Sequence, residues 1–326
     1  MKYVFVSKRG DILPLAQRLE DEGNQIDFYV CQDENLIVDK HIIDNAPDII
    51  VFDSHGFGKL ANRLTRNGFA VLGCSLFTDQ LESDERYGIK VLQLCGLPTL
   101  GNIGIPVTID AWFNGKHFIN HMYCLDNVVC PGSHQDKLFT QYVSKLASAL
   151  KKAEYKGPIT LEATIGKDGV SFKNFRAQFA APSMLVFKEA LKGRVSHVFS
   201  ALAQGQDRTF MFKPGYSTSV TLSFSPSNLF STNDYCEIVA EGLTDDTLKH
   251  LWLYGFTRKA GDKFVYRGTG GRVAVVTARG DTIREARRRA YRTVFNIKIP
   301  DVLFLQKVGK NATAGYGNIK QWGWIQ

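Results

Sequence analysis

Apolar positions recur along this chain with two different periods. Tyr3–Val6, Gln25–Val30, Asp48–Phe52 and Phe69–Leu72 are short apolar runs and read as strands. Between the first two, Ile12 to Glu22 is amphipathic at helical spacing, and Gly23 ends it. Strand, helix, strand predicts a parallel sheet covered by helices, with ligands bound beyond the C-terminal strand ends. Two loops lie there: Ser7-Lys8-Arg9-Gly10-Asp11 and Asp53-Ser54-His55-Gly56-Phe57-Gly58. Neither has the glycine spacing of a dinucleotide fingerprint. His55 suits a ligand contact, and equally a loop residue satisfied by its neighbours.

Further on, Leu81, Ile89, Leu92 and Leu94 fall at helical intervals, with Gly96 as a stop and Pro98 beyond it. IPVTIDAWFNGKHF reads as strand, turn, strand. Gln141 to Lys152 and Met184 to Leu202 read as helices, Ile159–Ile165 as a strand, and Lys167-Asp168-Gly169 as a hairpin turn. The tail from Asn311 to Gln326 holds Tyr316, Trp322 and Trp324 among glycines. It suits packing against the core, or stacking on exposed bases.

The stretch Gly268 to Ile297 carries the strongest local pattern. Gly268, Gly270 and Gly271 make an open loop, and Val273 to Ala278 a strand with little polar surface. Thr282 reads as a helix N-cap with Glu285 as its capping-box partner. Ile283, Ala286, Ala290, Val294 and Ile297 form an apolar stripe, while Arg284, Arg288 and Arg292 stand four apart on another face. The combination suggests an anion site. An ordinary solvated helix behind a tight turn fits the same pattern.

Composition narrows the class. With 326 residues, 44% hydrophobic and 22% charged, the chain has a globular make-up and length for two or three domains. No apolar run approaches membrane-spanning length, and MKYVFVSKRGD is too short an apolar stretch for a secretory signal, so cytoplasmic residence without membrane contact is expected. The six cysteines have no metal-binding spacing and read as buried thiols. The net charge is +8, and twelve basic residues face three acidic ones between Arg258 and Lys298. That clustering favours an anionic partner such as a nucleotide phosphate or nucleic acid.

GGRVAVVTARGDTIREARRRAY resembles the C-terminal region of phosphoribosylamine–glycine ligase, an ATP-grasp enzyme of purine biosynthesis. Gly73-Cys74-Ser75, Ser83 and Gly96-Leu97-Pro98-Thr99 resemble that family's G-P-S strand end, helix start and G-I-P-T turn, in the same order. SVTLSFSP is similar to a later family strand. The resemblance implies an α/β, degenerate ATP-grasp fold in three parts. These are a Rossmann-like domain over 1–78, a central α+β domain over 79–232, and a small α+β domain with the basic helix over 233–326.

Departures from the family are as specific as the matches. Only Leu100 to Gly104 separate Thr99 from the hairpin, where the family inserts a lid over ATP. The D-H-K-R stretch is reduced to Asn120-His121-Met122-Tyr123, and a glycine loop to Pro131-Gly132-Ser133-His134. Asn174 and Arg176 stand where the family has its magnesium-binding glutamate and asparagine. Arginine repels magnesium but neutralises phosphate. Glu162 on the preceding strand reads first as a salt-bridge partner.

These departures imply no ATP, no magnesium and no other cofactor. What remains is a pocket for glycine or a similar small amine near His121, Arg176 and Gln178, with His121 as base. A phosphate site is expected from Lys8, Arg9, Gly10, Ser54, His55, Gly270, Gly271 and Arg272. Arg284, Arg288 and Arg292 would meet DNA. The function implied is transfer of the amine onto a pre-activated phosphorylated nucleotide, as in thymidine hypermodification of bacteriophage DNA, with the gene phage-encoded. A conventional ATP-dependent ligase and a non-catalytic nucleotide- or DNA-binding relic are the alternatives.

Overall fold

The computed structural model describes residues 1–31, 42, 44–101, 104–179, 183–208, 210–225, 238–259, 263–266 and 271–326. The first part is a parallel sheet. Its strands β1 (Lys2–Ser7), β2 (Gln25–Val30), β3 (Ile49–Phe52) and β4 (Val71–Leu72) lie in the order β2-β1-β3-β4. Helix α1 (Leu13–Asp21) connects β1 to β2, and α2 (Gly58–Arg66) connects β3 to β4. Tyr3–Val6 and Ile49–Phe52 are buried on both faces, as a sheet covered on both sides requires. Because β1 and β3 are adjacent and parallel, with Val6 opposite Phe52, the loops that follow them emerge side by side.

Two helices follow, α3 (Leu76–Ser83) and α4 (Glu85–Leu94). The periodicity suggested one helix, but Asp84 is extended and accepts from the N–H groups of Arg86 and Tyr87, so it caps a second. Ten residues separate the end of α4 at Leu94 from the second sheet, which begins at Ile105.

That sheet contains β5 (Ile105–Phe113), β6 (Phe118–Leu125), β7 (Val128–Pro131), β8 (Gly157–Ile165), β9 (Val170–Arg176) and β10 (Tyr216–Phe224). Helices α5 (Lys137–Gln141) and α6 (Ala147–Lys152), joined by a short 3-10 turn, lie between β7 and β8. Helices α7 (Ser183–Ala190) and α8 (Val195–Gln204) lie between β9 and β10. The chain continues through β11 (Val239–Ala240), α9 (Asp245–Leu248), β12 (Leu251–Leu253), β13 (Phe256–Lys259), β14 (Lys263–Tyr266), β15 (Arg272–Gly280), α10 (Ile283–Asn296), β16 (Val302–Leu303) and α11 (Ala312–Gln321).

The mixed α/β character agrees with expectation, but the third part is no separate sheet. β15 pairs antiparallel with β10 along most of its length, β12 pairs with β15, and β16 with β10. The central sheet therefore runs β12-β15-β10-β7-β6-β5-β8-β9. Apolar β15 is buried on both faces, so it needs strand neighbours as well as α10 above it. Among the described residues of this part, β11, β13 and β14 form a small sheet of their own. The boundary expected at 232 falls outside the described residues, and the one expected at 78 falls inside α3.

One apolar cluster joins the two sheets. Tyr3, Phe5, Leu15 and Leu19 pack with Trp112, Phe187, Phe199, Trp252 and Val275. The C-terminal tail packs too. Tyr316 and Trp324 are buried, with the Tyr316 hydroxyl 2.7 Å from the Tyr123 carbonyl and the Trp324 indole N–H donating to Gly166. Buried to this degree, neither ring offers a face for stacking on bases.

Candidate functional site

Four separate stretches of chain converge on one cleft of about 570 Å3 between the two sheets. Lys8, Arg9 and Asp11 come from the loop after β1, and Asp53, Ser54 and His55 from the loop after β3. Arg176, Gln178 and Phe179 come from the end of β9, and Arg272 from the start of β15.

Local bonding fixes these side chains. The Ser7 hydroxyl accepts from the N–H groups of Gly10 (2.7 Å) and Arg9 (3.2 Å), which closes the first loop tightly. Gly10 sits at φ +75°, a conformation that glycine adopts without strain. Ser54 ties the two loops together. Its hydroxyl donates to Asp53 at 2.6 Å and accepts from the Lys8 N–H at 3.2 Å. Asp53 is buried, and burial pushes its carboxyl up against the hydrogen bonds from Ser54, Ser7 and Ile12. In β9 the register with β8 shifts beside Glu162, a bulge that re-aims the end of the strand.

The cleft is cationic. Lys8, Arg9, Arg176 and Arg272 face two lining carboxylates, Asp11 and Asp53. Asp11 is shared between Arg272 at 3.1 Å and Arg9 at 3.5 Å. Arg176 reaches Glu162 at 3.7 Å, with both side chains about half exposed. The guanidinium of Arg272 also lies over the Tyr254 ring, whose hydroxyl is pushed up to about 12 by burial and donates to the Asp11 carbonyl. Behind the cleft, Gln178 donates to Glu82 at 3.4 Å. Burial pushes the Glu82 carboxyl up, opposed by nearby Arg176, and its Oε1 is buried without a partner among the described residues. Such a site suits a doubly charged anion with polar neighbours.

No protein-family model matches the chain. Solved structures do match. Phosphoribosylamine–glycine ligase from Thermotoga maritima aligns with a TM-score of 0.67 at 13% identity, over 93% of this chain and 99% of its own. The fold is ATP-grasp-like. Urea carboxylase from Kluyveromyces lactis aligns with a TM-score of 0.63 at 11% identity, over 99% of this chain and 32% of that longer one. The biotin carboxylase domain of a single-chain bacterial carboxylase aligns at 0.59 and 11% identity, over 99% of this chain and 100% of its own. At these identities the likeness concerns the fold alone.

Within this ATP-grasp-like frame, Lys8, Arg9, Ser54, His55, Arg176, Gln178 and Arg272 are brought together. Gly10 shapes the first loop without lining the cleft. Gly271 uses its carbonyl to accept from Phe224 at 2.8 Å, and Gly270 lies outside the described residues.

His121 stands elsewhere, and the role of base expected for it is corrected. It lies on β6 opposite Ala111 and is fully buried. Its ring stacks on Phe139 at 4.5 Å, and Nε2 is 3.0 Å from the Tyr123 hydroxyl, which donates to Asp136 at 2.9 Å. The single hydroxyl proton goes to the carboxylate, so we assign the imidazole proton to Nε2. Nδ1 is then a buried acceptor with no partner among the described residues. Burial holds this imidazole below its ordinary range despite Asp136.

Arg284, Arg288 and Arg292 are exposed on α10 and do not line the cleft. Glu82 is a polar part of the site that sequence reasoning missed, and Asp53 was read only as part of its loop. Nothing in residue spacing relates position 82 to 178, because only the fold brings α3 under the end of β9. Among the described residues, no three His, Cys, Asp or Glu side chains group as a metal set, and no helix is long and apolar enough to cross a membrane.

Proposed function

We propose that this chain transfers a glycine-like amine onto a phosphorylated nucleotide that arrives already activated, such as pyrophosphorylated hydroxymethyl-uracil in DNA. The observation that carries this reading is the convergence of Lys8, Arg9, Arg176 and Arg272 on one cleft. Pyrophosphate carries enough charge to engage all four.

In the reaction, the amine nitrogen attacks the methylene carbon that bears the pyrophosphate. A C–N bond forms, the C–O bond breaks, and pyrophosphate leaves with the electron pair while the new ammonium loses one proton. Arg176 and Arg272 stabilise the departing charge. His55, exposed at the cleft, replaces His121 as the base in this proposal. Gln178, held by Glu82, orients the amine or its carboxylate.

Two features support activity without ATP. The stretch 95–104, which joins α4 to β5, is too short for a lid domain. The groups around Glu162 do not fit magnesium, because Arg176 lies 3.7 Å from its carboxylate and Asn174 provides only an amide beside it. Phage origin and residence in the host cytoplasm belong to the same proposal.

The test is mass spectrometry of nucleosides from pyrophosphorylated DNA incubated with the protein and isotopically labelled glycine. A labelled modified nucleoside formed without ATP supports the reading. No label from glycine or a panel of small amines overturns it. Glycine-dependent ATP hydrolysis with phosphoribosylamine would assign a conventional ligase instead.

A further inference from the structure

A second basic pocket lies at the opposite end of β15. Arg272 begins this strand and Arg279 is seven residues further on, about 23 Å away at the usual rise of a strand. The pocket there, of about 480 Å3, is walled by Lys213, Arg279, Arg288, Arg289 and Arg292. It shares no lining residue with the first cleft.

The floor is a buried polar network. Glu189 is only 8% exposed. Its Oε2 takes hydrogen bonds from His250 Nδ1 at 3.0 Å and from the Thr277 hydroxyl at 3.1 Å. Thr277 in turn accepts from the Trp252 indole N–H at 2.9 Å. Burial works to raise the Glu189 carboxyl, but His250 and Thr277 hold it below its ordinary range. Both internal bonds use Oε2, so Oε1 is available to a donor in the pocket.

The wall divides into two kinds of cation. Arg279 pairs with Asp281 at 3.3 Å, and Arg289 pairs with Glu285 and donates to the Arg279 carbonyl. Arg288 and Arg292 make no ion pair or hydrogen bond among the described residues. They stand four apart on one face of α10, where like charges weaken a helix. A bound anion offsets that repulsion.

We infer that this pocket binds a compact phosphomonoester that also carries an N–H or O–H donor. The phosphate meets Arg288 and Arg292 at the mouth, and the donor meets Glu189 at the floor. A recessed carboxylate disfavours a continuous phosphodiester backbone, and the volume lies in the range of small-molecule sites. This assigns Arg288 and Arg292 to a discrete ligand rather than to a DNA face. It stands independently of the reading given to the first cleft.

The test is calorimetric titration of the full chain with AMP, with pyrophosphate and with duplex DNA. The proteins compared are wild type, Arg288→Gln/Arg292→Gln and Arg176→Gln/Arg272→Gln. The first pair is exposed on the helix, and circular dichroism checks that the fold is kept. AMP affinity at one site is expected to fall roughly tenfold or more in the α10 variant and to persist in the cleft variant. Unchanged AMP binding in the α10 variant overturns the inference. So does unchanged AMP binding combined with loss of duplex DNA binding, which would make the same arginines a nucleic-acid face. A cleft variant without effect on pyrophosphate binding would count against the first cleft alone.

Discussion

Arg272 on β15 places Nη1 3.1 Å from Oδ1 of Asp11, a residue 261 positions earlier in the chain. This pair closes the cleft between the parallel sheet and the central sheet. It also holds in check two of the four cations there, because Asp11 faces Arg9 as well. Asp11→Asn removes that competing charge and keeps one acceptor, the amide oxygen, for Arg272, while Arg9 loses its partner. Pyrophosphate should bind roughly twofold to tenfold more tightly, the worth of one partly exposed charge. Calorimetric titration measures this, and weaker binding would show that Asp11 serves the ligand directly.

Arg176 takes the other side of the cleft, with Glu162 as its partner. Arg176→Gln keeps a polar side chain but loses the charge. If Arg176 stabilises the leaving pyrophosphate, the transfer rate should fall by about a hundredfold, as for other donors aimed at developing charge. Arg176→Lys should recover part of that loss. Equal rates for wild type and Arg176→Gln would remove this residue from the chemistry.

Gly132 tests the packing assigned to His121. A Cβ at Gly132 would lie 2.1 Å from His121 Nε2 and 2.9 Å from the Tyr123 ring. Both rings are buried, with His121 stacked on Phe139 and Tyr123 edge-on to His121, so neither yields space easily. Gly132→Ala should therefore cost about 1–3 kcal/mol, as other overpacked cores do. A urea denaturation midpoint that does not shift would mean that the rings around Gly132 are free to give way.

The same histidine sets a pH dependence. Burial lowers the His121 imidazole from its ordinary 6.5, and His134 is lowered in the same sense by burial and by His121. The unfolded chain then takes up protons near pH 6.5 while the folded chain does not. Stability that is full above this pH is lost as pH falls below it. Asp136 adds to the loss at lower pH. Burial works to raise its carboxyl, yet nearby His121 and the hydrogen bonds from Ser133, Gln326 and Tyr123 hold it below its ordinary 3.8. Urea denaturation at pH 7.5 and 5.5 should show lower stability at 5.5. His121→Phe should flatten that difference, and a wild-type-sized difference in the variant would contradict the assignment.

Much of the local structure was legible in the residues. The Thr282 cap holds as expected, with its side chain accepting from the Glu285 N–H at 3.2 Å. Glu285 reaches back one residue further than a capping box predicts, to the N–H of Asp281. The stripe from Ile283 to Ile297 is buried, and Gln25–Val30 is a strand with the boundaries read from the sequence. Long-range relations were less legible. The order of β10, β15 and β12 in one sheet depends on pairs 49 to 64 residues apart for β10 with β15 and 21 to 25 apart for β12 with β15, which no local period encodes. His121 looked like a site residue because of its motif position. Its burial depends on Phe139 and Asp136, which arrive from another element. The loops after β1 and β3 were readable as neighbours because a parallel crossover leaves little choice of topology.

The most direct measurement of the central claim is the release of pyrophosphate from pyrophosphorylated DNA as glycine is varied, with ATP absent. Release that rises with glycine, saturates, and matches the modified nucleoside one for one is the predicted result. Release that requires ATP, or none with any small amine, would contradict it.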